Sequence, residues 1–104
     1  MNIQLTGHHV DVTPALREHL VEKLARVHHF DHAVEVKAIF SVEKNLQTAS
    51  LRLRSNGHDF HAEDSQENLY ASIDLAVDKL DKQVIKHKNK LNDVSHDTVK
   101  RTIA

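Results

Sequence analysis

Along the chain, the apolar residues switch between a period of two and a helical period, and those switches mark out the elements. Ile3 and Leu5 alternate with Gln4 and Thr6, which predicts a first strand closed by Gly7. Thr13-Pro14 then opens a helix: a threonine oxygen takes an orphan amide at the N-cap, and proline at the first helical position gives up no hydrogen bond. Leu16, Leu20, Leu24 and Val27 follow at helical spacing, so this helix is predicted to run to about His29 with one buried stripe. Val34, Val36, Ala38, Phe40 and Val42 alternate strictly and predict a long second strand, with Glu43-Lys44-Asn45 as its turn. Ala49, Leu51 and Leu53, set between Ser50, Arg52 and Arg54, predict the third strand. Asn56-Gly57 is a strong hairpin signal, and His58, Phe60 and Ala62 supply the apolar face of the fourth. Asp64-Ser65-Gln66-Glu67 reads as a capping box with aspartate in the usual Ser/Thr place. A long helix without glycine or proline is predicted from about Gln66 to Leu91, with Leu69, Ile73, Ala76, Leu80, Val84 and Leu91 facing inward and Tyr70 and Val77 at the edge.

The resulting order, β-α-β-β-β-α, predicts an α+β fold: a single two-layer domain with a four-stranded sheet and two helices packed on one face. The domain is expected over residues 1–91. Residues 92–104 are polar and aperiodic and read as a mobile tail. No repeat, linker or second domain is legible. The chain of 104 residues suits one modest core.

Cysteine is absent, which excludes disulfides and Cys-ligated zinc. The start, Met1-Asn2-Ile3-Gln4-Leu5, lacks the apolar run of a signal peptide, and no stretch approaches transmembrane length. A cytoplasmic protein is the expectation. The net charge of −1 and a pI near 6.8 argue against a nucleic-acid partner when taken as a sum. The distribution reverses that reading. At about 100° per residue, Lys79, Lys82, Lys86 and Lys90 line one flank of the long helix, while Asp74, Asp78 and Asp81 gather on the other. On the first helix, His19, Lys23 and Arg26 share one side and Glu18 and Glu22 point further out. With both helices on one sheet face, the two basic flanks are expected to join in a continuous patch. A lysine row is most often only a solvated face, and lysines near a helix C-terminus also complement its dipole. A purely solubilising face intersperses the signs at i,i+4, however, whereas this helix sorts them. Sorted lysines suit a phosphate backbone.

The run Glu67-Asn68-Leu69-Tyr70-Ala71-Ser72-Ile73-Asp74-Leu75-Ala76-Val77-Asp78-Lys79-Leu80 and its continuation to Leu91 resemble the ribosome hibernation-promoting factor family, which includes ribosome-associated inhibitor A. Ile3-Gln4-Leu5-Thr6-Gly7, Val12-Thr13-Pro14-Ala15-Leu16-Arg17-Glu18 and Val42-Glu43-Lys44 share the resemblance, which covers about Met1 to Leu91. It implies the same fold and binding in the small-subunit channel between head and body, where mRNA and tRNA lie, so that occupancy silences translation under stress or in stationary phase. It implies RNA contacts at Lys23, Arg26, Lys79, Lys82, Lys86 and Lys90; Lys88 also matches a basic position but points away from the others. The partners implied are rRNA and proteins of the small ribosomal subunit, with a separate ribosome modulation factor as a further one. The long family members carry an extra C-terminal domain, for which this chain is too short, so the short class is expected.

Other features point less far. His28, His29, Asp31 and His32 are a dense group of metal-ligand types, but adjacent helical residues diverge by about 100° and no physiological metal site is expected. His58 reads as a half-buried packing histidine, His87 as packing rather than RNA-contacting, and Tyr70 as a core or rim aromatic with its hydroxyl hydrogen-bonded. With four aromatics in all, base stacking is disfavoured and recognition by shape and phosphate fits better. No glycine-rich loop, cysteine nucleophile or triad arrangement is present, so neither catalysis, a cofactor nor a small-molecule substrate is expected. Two rivals stand beside the ribosomal reading: a general double-stranded RNA-binding module, and a transcription-regulating protein using Asp74, Asp78 and Asp81 as its contact surface.

Overall fold

A computed structural model describes residues 2–27, 33–55 and 57–100, with side chains for 2–27, 33, 35–55 and 57–87. The elements are β1 (Asn2–His8), α1 (Pro14–Ala25), β2 (Ala33–Glu43), β3 (Leu46–Ser55), β4 (His58–Gln66) and α2 (Leu69–Lys100). They form one four-stranded sheet in the order β1-β2-β3-β4. β1 runs parallel to β2, the crossover being made by α1, and the remaining pairs are antiparallel hairpins.

Register follows from the period-two pattern. Val36 faces Leu53, Ala38 faces Leu51 and Phe40 faces Ala49 across β2–β3, while Leu51 faces Ala62 and Leu53 faces Phe60 across β3–β4. These residues are buried on one face, where Leu16, Leu20 and Leu24 of α1 and Leu69, Ile73, Ala76, Val77, Leu80 and Val84 of α2 complete a single core. Both helices therefore cover the same side of the sheet. Leu20 is wholly buried, so truncating it to alanine costs about 2–5 kcal/mol. Val77, read as an edge residue, is also fully buried.

Several element ends differ from the sequence expectation, each for a local reason. β1 continues through Gly7 to His8, and a Cβ at Gly7 would clash with the Val10 carbonyl oxygen as the chain folds back. α1 starts as expected, with Thr13 Oγ1 accepting from the Leu16 amide at 3.2 Å. It ends at Ala25, where Arg26 is the C-cap and the Arg26 and Val27 amides close a tighter last turn on the Lys23 and Leu24 carbonyls. The capping box at Asp64 does not form, because Asp64 lies inside β4. The amide of Tyr70 is instead held by Asn68 Oδ1 at 2.7 Å, so α2 begins at Leu69. Its backbone runs on to Lys100, through most of the segment that sequence periodicity leaves as tail. The Leu91 side chain, read as a core residue, and the group His28, His29, Asp31 and His32 lie outside what is described.

Candidate nucleic-acid interface

Helix α2 rests over β3 and β4 with α1 alongside it, and this placement decides the fate of each charged flank. The acidic flank of α2 faces the basic flank of α1. His19 Nε2 lies 2.7 Å from Asp74 Oδ1, and Lys23 Nζ lies 3.4 Å from Asp78 Oδ1. Tyr70 closes this end, its ring edge-on to His19 with centroids 5.0 Å apart. Tyr70 is a rim residue, and no hydrogen bond of its hydroxyl occurs among the described residues.

The expected continuous basic patch is therefore not what the fold makes. The basic side of α1 abuts the acidic side of α2, and the two signs meet in an interhelical seam. The same seam engages two of the three aspartates that a transcription-regulating reading uses, Asp74 and Asp78, although both stay about half exposed. The sorting of signs seen in the sequence thus has an intramolecular cause on its acidic side. Complementary flanks on two helices of one layer were the legible signal for it.

The basic flank of α2 also divides. Lys79 is drawn down to the sheet edge: its Nζ lies 2.8 Å from Asp64 Oδ1 and donates to the Glu63 carbonyl at 3.1 Å. Gln83, one turn on, donates to the His61 carbonyl at 2.6 Å. Together these side chains cap carbonyls of β4, an edge strand whose outer backbone groups lack a neighbouring strand. The Asp64 side chain is only 12% exposed. Hydrogen bonds from Lys79 and then from Gln66 Nε2, the latter at 2.8 Å, hold its carboxyl below the usual aspartate range. Lys79 is thus largely committed to the fold, and neither Asp64 nor Gln83 was marked by sequence periodicity as its companion.

Lys82 and Lys86 are exposed on the outer side of α2, and neither takes part in an ion pair or hydrogen bond among the described residues. Arg26, exposed at the end of α1, is likewise without an ion pair among them. The Lys90 side chain lies outside the described residues. Below Lys86, His87 stacks on His58 with ring centroids 4.3 Å apart and 18° between planes, and both rings meet Phe60 edge-on. His87 thus packs, half-buried, while His58 is exposed rather than half-buried. No group of three or more metal-ligand side chains converges among the described residues. No helix among them is long and apolar enough to cross a membrane.

What the geometry defines is a small α+β domain with a closed core, a self-neutralised helix seam and an outward ridge of lysines. The family described as sigma 54 modulation protein / S30EA ribosomal protein matches over residues 3–92, and the chain belongs to it. Among its relatives, the ribosome hibernation promoting factor of Azotobacter vinelandii is 44% identical over 91 residues, covering 86% of this chain and 85% of the relative. That of Escherichia coli is 39% identical over 92 residues, covering 88% and 97%. The solved structure of a ribosomal subunit interface protein from Coxiella burnetii superposes with a TM-score of 0.82 at 32% identity, covering 86% of this chain and 99% of the other.

Proposed function

We propose that this chain is a cytoplasmic, non-catalytic ribosome hibernation factor. It occupies the decoding channel of the small subunit through contacts to the rRNA backbone, excludes mRNA and tRNA, and so inhibits translation during stress or stationary phase. The unit that binds is residues 1–91, to which 92–104 add a tail, with a separate ribosome modulation factor as an additional partner. The observation that carries the reading is the exposed, uncommitted pair Lys82 and Lys86 on α2, in a chain whose relatives bear the name ribosome hibernation promoting factor.

Cations with no intramolecular partner retain their full charge for phosphates, and each phosphate neutralised releases counterions. Lys82 and Lys86 lead the contact, with Lys90 and Arg26 extending it. Lys23 and Lys79 join only by sharing their ammonium donors with an aspartate already in place. Co-sedimentation with purified small subunits tests the proposal. Binding should occur, should be displaced by initiation factors or tRNA, and should ignore free duplex RNA. Equal binding to free duplex RNA would instead make the domain a general double-stranded RNA module.

A further inference from the structure

The face of the sheet turned away from the helices carries charges of its own, and their row-by-row arrangement is informative. In an antiparallel pair, directly opposed side chains interact, and like charges there are destabilising. One row across this face is Asn2, Glu35, Arg54 and Asp59. It is balanced: Arg54 Nε donates to Asp59 Oδ1 at 3.0 Å and Nη2 to Oδ2 at 3.5 Å. That contact raises the arginine's pKa and lowers the aspartate's, with Glu35 adding to the former. The next row on the same face is Gln4, Lys37, Arg52 and His61. It holds two fixed cations in direct register, an imidazole beside them and no acid.

All four side chains of that row are exposed, and neither Lys37 nor Arg52 takes part in an ion pair among the described residues. Of the acids nearby, Asp59 pairs with Arg54, Glu63 lies 4.0 Å from His61 of the row itself, and Glu35 stands in the first row beside Arg54. His61 is further steadied by Ser50 Oγ at 3.0 Å from its Nε2. Two shallow hollows flank the row. One of about 140 Å³ is bounded by Glu35, Lys37, Arg52, Arg54 and Asp59, and one of about 150 Å³ by Lys37, Ile39, Ser50, Arg52 and His61.

We propose that Lys37 and Arg52, with His61 beside them, form a second anion-binding strip that takes an RNA phosphate backbone on the side of the domain opposite the α2 lysines. An anion laid over the row relieves the opposed positive charges, and Arg52 presents a planar fork suited to two phosphate oxygens. Carboxylates on either side, Glu35 and Asp59 on one and Glu63 on the other, narrow the strip, which favours a single backbone crossing over a broad polyanion surface. The proposal rests on the ribosomal reading above and deepens it. A domain lodged between two walls of a channel is held by opposite faces, and these two cation sets lie on opposite faces.

The test uses the full chain and purified small subunits at about 0.1 M salt, with the variant pairs Lys37→Gln/Arg52→Gln and Lys82→Gln/Lys86→Gln measured in parallel. Loss of two phosphate contacts predicts that the sheet pair binds at least about ten-fold more weakly. Its melting temperature should be equal to or above that of the unmodified chain, because the opposed charges are gone. A photo-crosslinker placed at position 37 should label rRNA. Unchanged affinity of the sheet pair, or a crosslink only to ribosomal protein, overturns the strip while leaving the α2 ridge standing. Unchanged affinity of the α2 pair instead overturns the α2 ridge, and failure of the unmodified chain to bind small subunits at all defeats the ribosomal reading itself.

Discussion

Lys23 and Lys82 are the same residue type on neighbouring helices, yet the fold gives them opposite roles. Lys23 sits in the seam between α1 and α2, partly covered and 3.4 Å from Asp78, in line with His19 and Asp74 one turn earlier. Lys82 stands with Lys86 on the outer side of α2, exposed and with no ion-pair partner among the described residues. A lysine in the seam contributes to holding two helices together, at about 0.5–1 kcal/mol for a partly exposed pair. A lysine on the ridge makes no ion pair or hydrogen bond among the described residues, so its charge stays uncommitted. Availability, not charge alone, separates a candidate interface from an internal strut.

Reversing the ridge should break the contrast most strongly. Lys82→Glu with Lys86→Glu is expected to weaken small-subunit binding by at least about 100-fold at 0.1 M salt, since two attractive phosphate contacts become repulsive. Its thermal midpoint should stay within about 2 °C of the unmodified chain, because neither side chain is used internally. The seam should answer in the opposite way. Lys23→Glu places like charges against Asp78 and is expected to cost about 1 kcal/mol, a fall of about 4–8 °C in Tm by calorimetry. Adding Asp78→Lys should restore most of that loss, which a nonspecific packing effect would not allow.

Lys79 tests the middle case, a ridge residue turned into a strut. Lys79→Met should lower stability at neutral pH by up to about 1 kcal/mol, discounted for the half-exposed ammonium. The pH dependence has a definite sign. Asp64 is held below the usual aspartate range by the Lys79 hydrogen bond first and Gln66 second, so its contribution is present above that range and is lost as pH falls through the depressed value. Urea unfolding should therefore show the gap between variant and unmodified chain closing from pH 7 to pH 3. The smallest effect is expected at Arg54→Gln, whose fully exposed pair with Asp59 should leave the melting temperature unchanged.

These contrasts also show what a sequence of this kind reveals. Strands and helices were legible because Val36, Ala38 and Phe40, or Leu16, Leu20 and Leu24, keep strict periods on buried faces. The element ends were less so, because tertiary partners decide them. Asp64 has the spacing of a capping residue, but it pairs with Ala49 inside β4, where Lys79 reaches its carboxylate from the flank of α2 beside that strand. The lysine flank was visible from helical geometry alone. Its meeting with α1 was not, since the rotation of one helix against another depends on how Leu20 and Leu24 seat in the shared core. The row joining Lys37 to Arg52 needed the strand register, which the alternation around the β2–β3 turn only partly specifies.

The most direct measurement of the central claim is the salt dependence of binding to purified small subunits, comparing the unmodified chain with Lys82→Gln/Lys86→Gln. If the ridge contacts two phosphates, the slope of log affinity against log salt should fall in magnitude by about 1.4–1.8 in the neutralised variant. A slope equal to that of the unmodified chain would contradict the assignment of these lysines to the RNA backbone.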